Sequence, residues 1–250
     1  MTFDSVYLWM MVFVRAGGLL VLVPVFSGQN IPVQLRVAVA ALLAAAVTAF
    51  VPAAASFPPD VITLIFIAAR ELMIGLIMGA AARLIFYAIE CAGQIISTEM
   101  GLMMSSQVDP ISRNPSSPVG IALFYGGALL FLFSGCHHVV FAAFLRSFAI
   151  APIGQLGFTR HVAELFVIST GKIFLIAVQM AAPLMAVNFV VTFTFAVLGK
   201  AAPSINVFSE SFSVRILAGI AIFGVALGLT AQLVLSCMRQ SPELMLQLIP

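Results

Sequence analysis

Charge is what this sequence most lacks. Of its 250 residues, 8% are Asp, Glu, Lys or Arg and 62% are hydrophobic, whereas a soluble globular domain carries about 25% charged residues. Eleven basic and nine acidic residues cannot clothe a water-facing surface of this size, which excludes a cytosolic enzyme. A chain this apolar is not disordered either. A net charge of +2 gives no broad basic field, so nucleic acid is excluded as a partner. Cysteine is scarce too. Cys91, Cys136 and Cys237 are odd in number, far apart and set in apolar runs. They read as small buried hydrophobes, with no disulfide framework and no zinc. His137 and His138 are adjacent, hence expected on different helix faces, and His161 with Glu164 has no second copy, so no metal is expected. No HExxH, GxSxG, Walker A or GxGxxG pattern occurs, so the sequence nominates no catalytic residue and no cofactor.

What is present is long apolar runs, and they point to an integral membrane protein. Crossing the hydrocarbon core takes about 20 residues of helix. Segments of that order lie at about 5–26, 36–55, 61–90, 119–145, 165–199 and 212–237. Backbone groups in lipid must be satisfied internally, so the expected fold is all-α, with about six hydrophobic helices in one domain spanning 1–250. The N-terminal run has an acid and no base ahead of it, unlike a secretory signal, and is expected to remain as a spanning helix. Pro24, Pro52 and Pro183 predict kinks or early ends. Residues 61–104 carry little turn signal. As one helix they would run about 66 Å, twice a bilayer core, so this stretch is expected to break, bend or protrude. Basic residues divide four against three between the two sides of a six-span arrangement and set no orientation.

The few charges are not confined to connectors. Seven of the 20 fall within the 44 residues from Arg70 to Arg113. Arg83, Tyr87, Glu90, Gln94, Ser97 and Gly101 follow helical steps of 4, 3, 4, 3 and 4 and lie within about 40° of one line on a helix. Such a polar stripe must face away from lipid. It fits a self-satisfied helix–helix contact, with Arg83 bridging to Glu90, or the wall of an aqueous passage. Arg70 and Glu71 are adjacent, about 100° apart, and are expected to need separate partners. Arg15, inside the first run, poses the same problem. Gly75/Gly79 and Gly224/Gly228 have the spacing of close helix packing. The connector 105–118 is polar and aperiodic, with Met103 and Met104 at its root. It reads as a surface loop after a Met-rich helix end, or as an adaptable seal.

Four stretches resemble one family. They are Arg15 to Arg36 with Pro24 and Pro32; Glu71 to Pro110, where Glu71 and Gly75 lead to AGQIISTEMGLMMSSQVDP; Leu130 to Pro152, with its phenylalanine-rich helix and Ser147–Pro152 turn; and Gly199 to Arg215, with Pro203 and Asn206. In this order they resemble the FliR family of type III secretion export-gate subunits. Ser204 stands where the family commonly has Gln, and Ser213 where a Pro is common. The resemblance implies a FliP-like N-terminal part and a FliQ-like C-terminal helical hairpin. It implies a channel-forming, non-enzymatic subunit of the bacterial inner membrane and flagellar basal body. Its expected partners are FliP-like, FliQ-like and FlhB-like subunits and the unfolded proteins that pass. It also implies a plug over 105–118: Met103 and Met104 at the root of a loop that includes Ser105, Ser106, Gln107, Val108, Asp109, Pro110, Ile111, Ser112, Arg113, Asn114 and Pro115. A virulence export subunit is the alternative. A six-helix secondary transporter with Arg83 and Glu90 at its midplane is a further one, but no inverted repeat is visible.

Overall fold

The computed structural model describes residues 3–27, 31–51, 60–103, 117–154, 160–202, 204 and 206–249. Among these residues all regular structure is helical: α1 (Phe3–Leu22), α2 (Pro24–Ser27), α3 (Val33–Thr48), α4 (Val61–Glu99), α5 (Pro118–Phe133), α6 (Cys136–Ile150), α7 (Arg160–Ala201) and α8 (Val207–Gln247). Each apolar segment of the sequence is mainly helix among the described residues, as a hydrocarbon solvent demands. They do not become six equal spans. Four helices, α1, α4, α7 and α8, are long and apolar enough to cross a membrane. The run at 119–145 is a broken pair, α5 and α6, bent by 69° at Gly135, whose φ of +72° only glycine adopts freely. The second segment is the shorter helix α3.

The prolines act as helix starts more than as kinks. Val23 breaks the chain after α1, and Pro24 opens α2, where its missing N–H costs nothing. Pro183 lies inside α7, which continues past it. Pro52 lies outside the described residues. The stretch from Val61 runs unbroken for 39 residues, about 58 Å, so of the three expected outcomes the helix does not break.

The chain forms two compact units and crosses between them four times. The first comprises 1–85, 131–170 and 237–250. Its core is built on α1, which buries Tyr7, Met11, Ala16 and Leu19 at spacings of three to five, one face of a helix. The facing stripe of α4 includes Glu71, Ile74, Met78 and Ala82. The two backbones come together at glycines. A Cβ on Gly18 would lie 2.7 Å from the Leu72 carbonyl oxygen and one on Gly79 2.7 Å from that of Leu19, while one on Gly75 would collide with the Arg15 carbonyl. Small residues permit this approach, so Gly75/Gly79 is a packing motif. Gly75→Val is therefore expected to force α1 and α4 apart and to lower the melting temperature in detergent by several degrees. Gly17→Ala should not, because nothing lies within 4 Å of its added Cβ; thermal unfolding of the two variants side by side checks this. Gly224 and Gly228 differ: an added Cβ on either meets nothing within 4 Å.

The second unit comprises 86–130 and 171–236. Its core includes Phe86, Ile89, Ala92, Leu123, Met180, Leu184 and Val234. Val207 packs over Gly199, and Leu184, Asn188 and Val191 line one cavity with Arg215 and Gly219. These pairings at falling and rising numbers make α7 and α8 an antiparallel hairpin. Much of its apolar surface is open: 11% of the most apolar window of α8 is buried, against 44% for α1.

Candidate functional site

The charges of the first unit converge. Arg15, fully buried, donates from Nε to Glu71 Oε2 at 2.6 Å, from one terminal nitrogen to Ser147 Oγ at 3.0 Å and from the other to the Ala151 carbonyl at 2.9 Å. Its guanidinium carbon stands 4.0 Å from the centroid of the Phe148 ring. Ser147 passes its own proton to the Phe144 carbonyl at 2.6 Å. Arg70 donates to Glu71 Oε1 at 3.3 Å and to the Pro152 carbonyl at 3.2 Å. One carboxylate on α4 thus joins a cation on α1, a second cation on α4 and the C-terminal end of α6. Arg70 and Glu71 find the separate partners expected of them, the Pro152 carbonyl and Arg15, but they also pair with each other. An arginine side chain is long enough to fold back on its neighbour, and Glu71 presents two oxygens. The isolated-helix problem posed by Arg15 is solved within the chain, with no lumen required.

The polar stripe has a different fate. From Arg83 onward, Arg83 and Glu90 are half-buried and Tyr87 and Gln94 exposed, on a helix otherwise largely buried there. Arg83 donates to Ser27 Oγ at 3.3 Å. The ion pairs among the described residues are Arg15–Glu71 and Arg70–Glu71, so the bridge from Arg83 to Glu90 does not form. Glu90 and Gln94 line a cleft of about 340 Å³ with Ser117, Gly120, Ile121, Phe124 and Tyr125. Ser97 departs from the stripe. It is completely buried, because the stripe's flank is covered there by the start of α5.

That start is a hydrogen-bonded clamp. Ser117 is the N-cap of α5: its Oγ accepts the Gly120 N–H at 2.9 Å, with Pro118 at the first helical position. Its proton goes to the Gly93 carbonyl at 2.8 Å. Ser97, 2.6 Å away, must then be the donor to Ser117. A Cβ on Gly93 would collide with Gly120, so the helices touch backbone to backbone. Ser117 and Pro118 therefore belong to α5, and the polar connector is shorter than the sequence suggests. The other end is fixed as well. Gly101, φ +77°, closes α4 with the Leu102 N–H bonded to the Ser97 carbonyl at 2.9 Å, a Schellman cap, and the Phe212 ring covers it. Met103 is half-buried at this end. Residues 104–116, the rest of the expected plug, lie outside the described residues. Ser117→Ala removes a cap and a bond to α4 and is expected to destabilise the α5 start by about 1–2 kcal/mol, read as faster amide exchange at Gly120 and Ile121.

The remaining expected positions are structural. Pro32 immediately precedes α3, and Arg36 bonds to the Ile31 carbonyl at 3.3 Å. Asn206 caps α8 by accepting the Ser209 N–H at 3.4 Å; Pro203 lies outside the described residues. Two further expectations are corrected. His137 and His138, though successive residues of α6, meet, with ring centroids 3.9 Å apart. Of the cysteines only Cys136 is buried, while Cys91 and Cys237 are half-buried. Arg70, Ser117 and Ser147 are the residues sequence reasoning undervalued. Only Ser117 carried a readable local signal, serine before proline.

Comparison with known proteins places this geometry. A family model described as bacterial export proteins, family 1, matches residues 6–241. The flagellar biosynthetic protein FliR of Caulobacter vibrioides is 26% identical over 224 residues, covering 89% of both chains. That of Bacillus subtilis is 28% identical over 213 residues, 83% of this chain and 81% of its own. The Yop proteins translocation protein T of Yersinia pestis is 30% identical over 201 residues, 78% of this chain and 76% of its own.

Proposed function

The chain belongs to family 1 of the bacterial export proteins, and from that premise we propose that it is a channel-forming subunit of a flagellar type III export gate in the inner membrane. The observation that carries this is the family match across 6–241, which takes in the buried charge cluster, the clamp and the hairpin together. The chain works in a hetero-oligomer with FliP-like and FliQ-like subunits, beside an FlhB-like one. Its open hairpin α7–α8 supports this, since an apolar surface of that extent requires lipid or protein cover. Of the expected plug 105–118, the part ahead of Ser117 and Pro118, which begin α5, acts as the plug, and the clamp at Ser97, Ser117 and Gly101 supports this by tying the end of α4 to the start of α5.

The role is passage, not chemistry. The buried ionisable residues of the first unit, Arg15, Arg70 and Glu71, are tied up in structural bonds, which supports this reading. Gating is then a displacement of the plug, with energy supplied from outside the chain. A virulence-type export gate is the second reading, favoured by the 30% identity to the Yersinia translocation protein. Deleting the gene and scoring motility separates the two. Loss of flagella restored by the wild-type gene supports the flagellar reading; normal flagella overturn it.

A further inference from the structure

Glu90 is an acid on a spanning helix without an ion-pair partner among the described residues. It lies half-buried on α4, and the ion pairs present belong to Glu71. Carboxylates on spanning helices face protein or water, not lipid. Glu90 faces a formed cleft of about 340 Å³ within the second unit, whose walls are Gln94 on the same helix and Phe124 and Tyr125 on α5. Two edge-to-face contacts, each with centroids 5.7 Å apart, join Phe124 to Phe86 and to Tyr125 and fix these rings. Tyr125 at the mouth is 58% exposed. The polar atoms deeper in are committed: Ser117 Oγ already donates to Gly93 and accepts from Gly120.

A carboxylate flanked by fixed aromatic rings, with an amide oxygen one turn away, suits one kind of guest. A guanidinium ion-pairs with the carboxylate, donates to the amide oxygen and lies against an aromatic face. An apolar side chain would strand the carboxylate, and an acidic one would be repelled. We infer that this cleft receives an arginine side chain from a neighbouring subunit, making Glu90 a docking residue that sets how the subunit seats in its complex. The inference rests on the hetero-oligomeric reading above.

The test is recovery of the assembled complex from membranes when the chain is co-expressed with the other export subunits of its own organism. Glu90→Gln, nearly isosteric, is expected to weaken recovery about tenfold, and Glu90→Arg to abolish it. Glu90→Asp should retain part of it. Chain abundance in the membrane, equal across variants, shows that folding is intact. A photoreactive phenylalanine analogue at Tyr125 should cross-link to an arginine-containing segment of another subunit. Several results overturn the inference: full recovery with Glu90→Gln, normal recovery with impaired export, which would put Glu90 on the passage wall, or a cross-link to the chain's own Arg113 segment. A wild-type chain that recovers no partner overturns the hetero-oligomeric reading itself, and this inference with it.

Discussion

Replacing Glu71 with alanine is expected to destabilise the first unit by about 3–5 kcal/mol, the cost of removing one partner from a buried ion pair. Arg15 is fully buried and gives two of its nitrogens to this one carboxylate. Without it a cation is left in an apolar interior with only Ser147 and the Ala151 carbonyl as acceptors. Arg70 loses the same partner and keeps the Pro152 carbonyl. The result should be a chain that is degraded in the membrane and melts at much lower temperature in detergent. Glu71→Gln should fall between, since an amide oxygen still accepts from Arg15. Replacing both Arg15 and Glu71 with methionine should recover much of the loss, because a hydrophobic pair of similar volume fits where an ion pair is costly to desolvate. Melting curves of Arg15→Met, Glu71→Met and the double variant decide this. Additive losses in the double variant would mean that the two side chains do not act as a pair.

Deleting residues 105–115 is expected to leave assembly intact and to let small solutes leak across the membrane. The cut spares Ser117, Pro118 and Gly101. The N-cap, the Ser97–Ser117 bond and the Gly93–Gly120 contact therefore continue to hold α4 to α5. That is why the deletion separates plug from scaffold. A longer cut through Ser117 would damage both. Uptake of a small fluorescent or chromogenic solute by cells carrying the deleted complex, with complex mass checked in parallel, reads the effect. Unchanged permeability with normal assembly would remove the plug role from this segment.

The helices were legible in the sequence because lipid leaves the backbone few alternatives, and composition alone therefore gave the fold class. The unbroken α4 was less so, since apolar length does not say whether a helix stays within the bilayer. The sharpest visible pattern, the stripe from Arg83 to Ser97, proved to be two things. Its middle lines a cleft at Glu90 and Gln94, while Ser97 is turned inward to Ser117. Angular position on one helix cannot reveal which flank a neighbour covers. The buried cluster was legible only as separate charges in need of partners and as family positions, not as one network. Arg15, Glu71 and Ser147 are separated by 56 and 76 residues (71 − 15 and 147 − 71), and no local periodicity links them. Adjacency misled twice, at Arg70–Glu71 and at His137–His138. In both cases side chains long enough to fold toward one another meet despite the 100° offset of their backbones. The broken pair α5–α6 could have been read from Ser134-Gly135 within the apolar run.

Under the proposed function this chain is one member of a mixed assembly, not a transporter that works alone. The most direct measurement is the mass of the intact particle purified through this subunit from membranes in which the other export subunits are co-expressed. The expected result is a discrete particle far above the 26.5 kDa of this chain, with FliP-like and FliQ-like chains present in fixed ratio. A stable species at 26.5 kDa, or at whole multiples of it with no other chain, would contradict it.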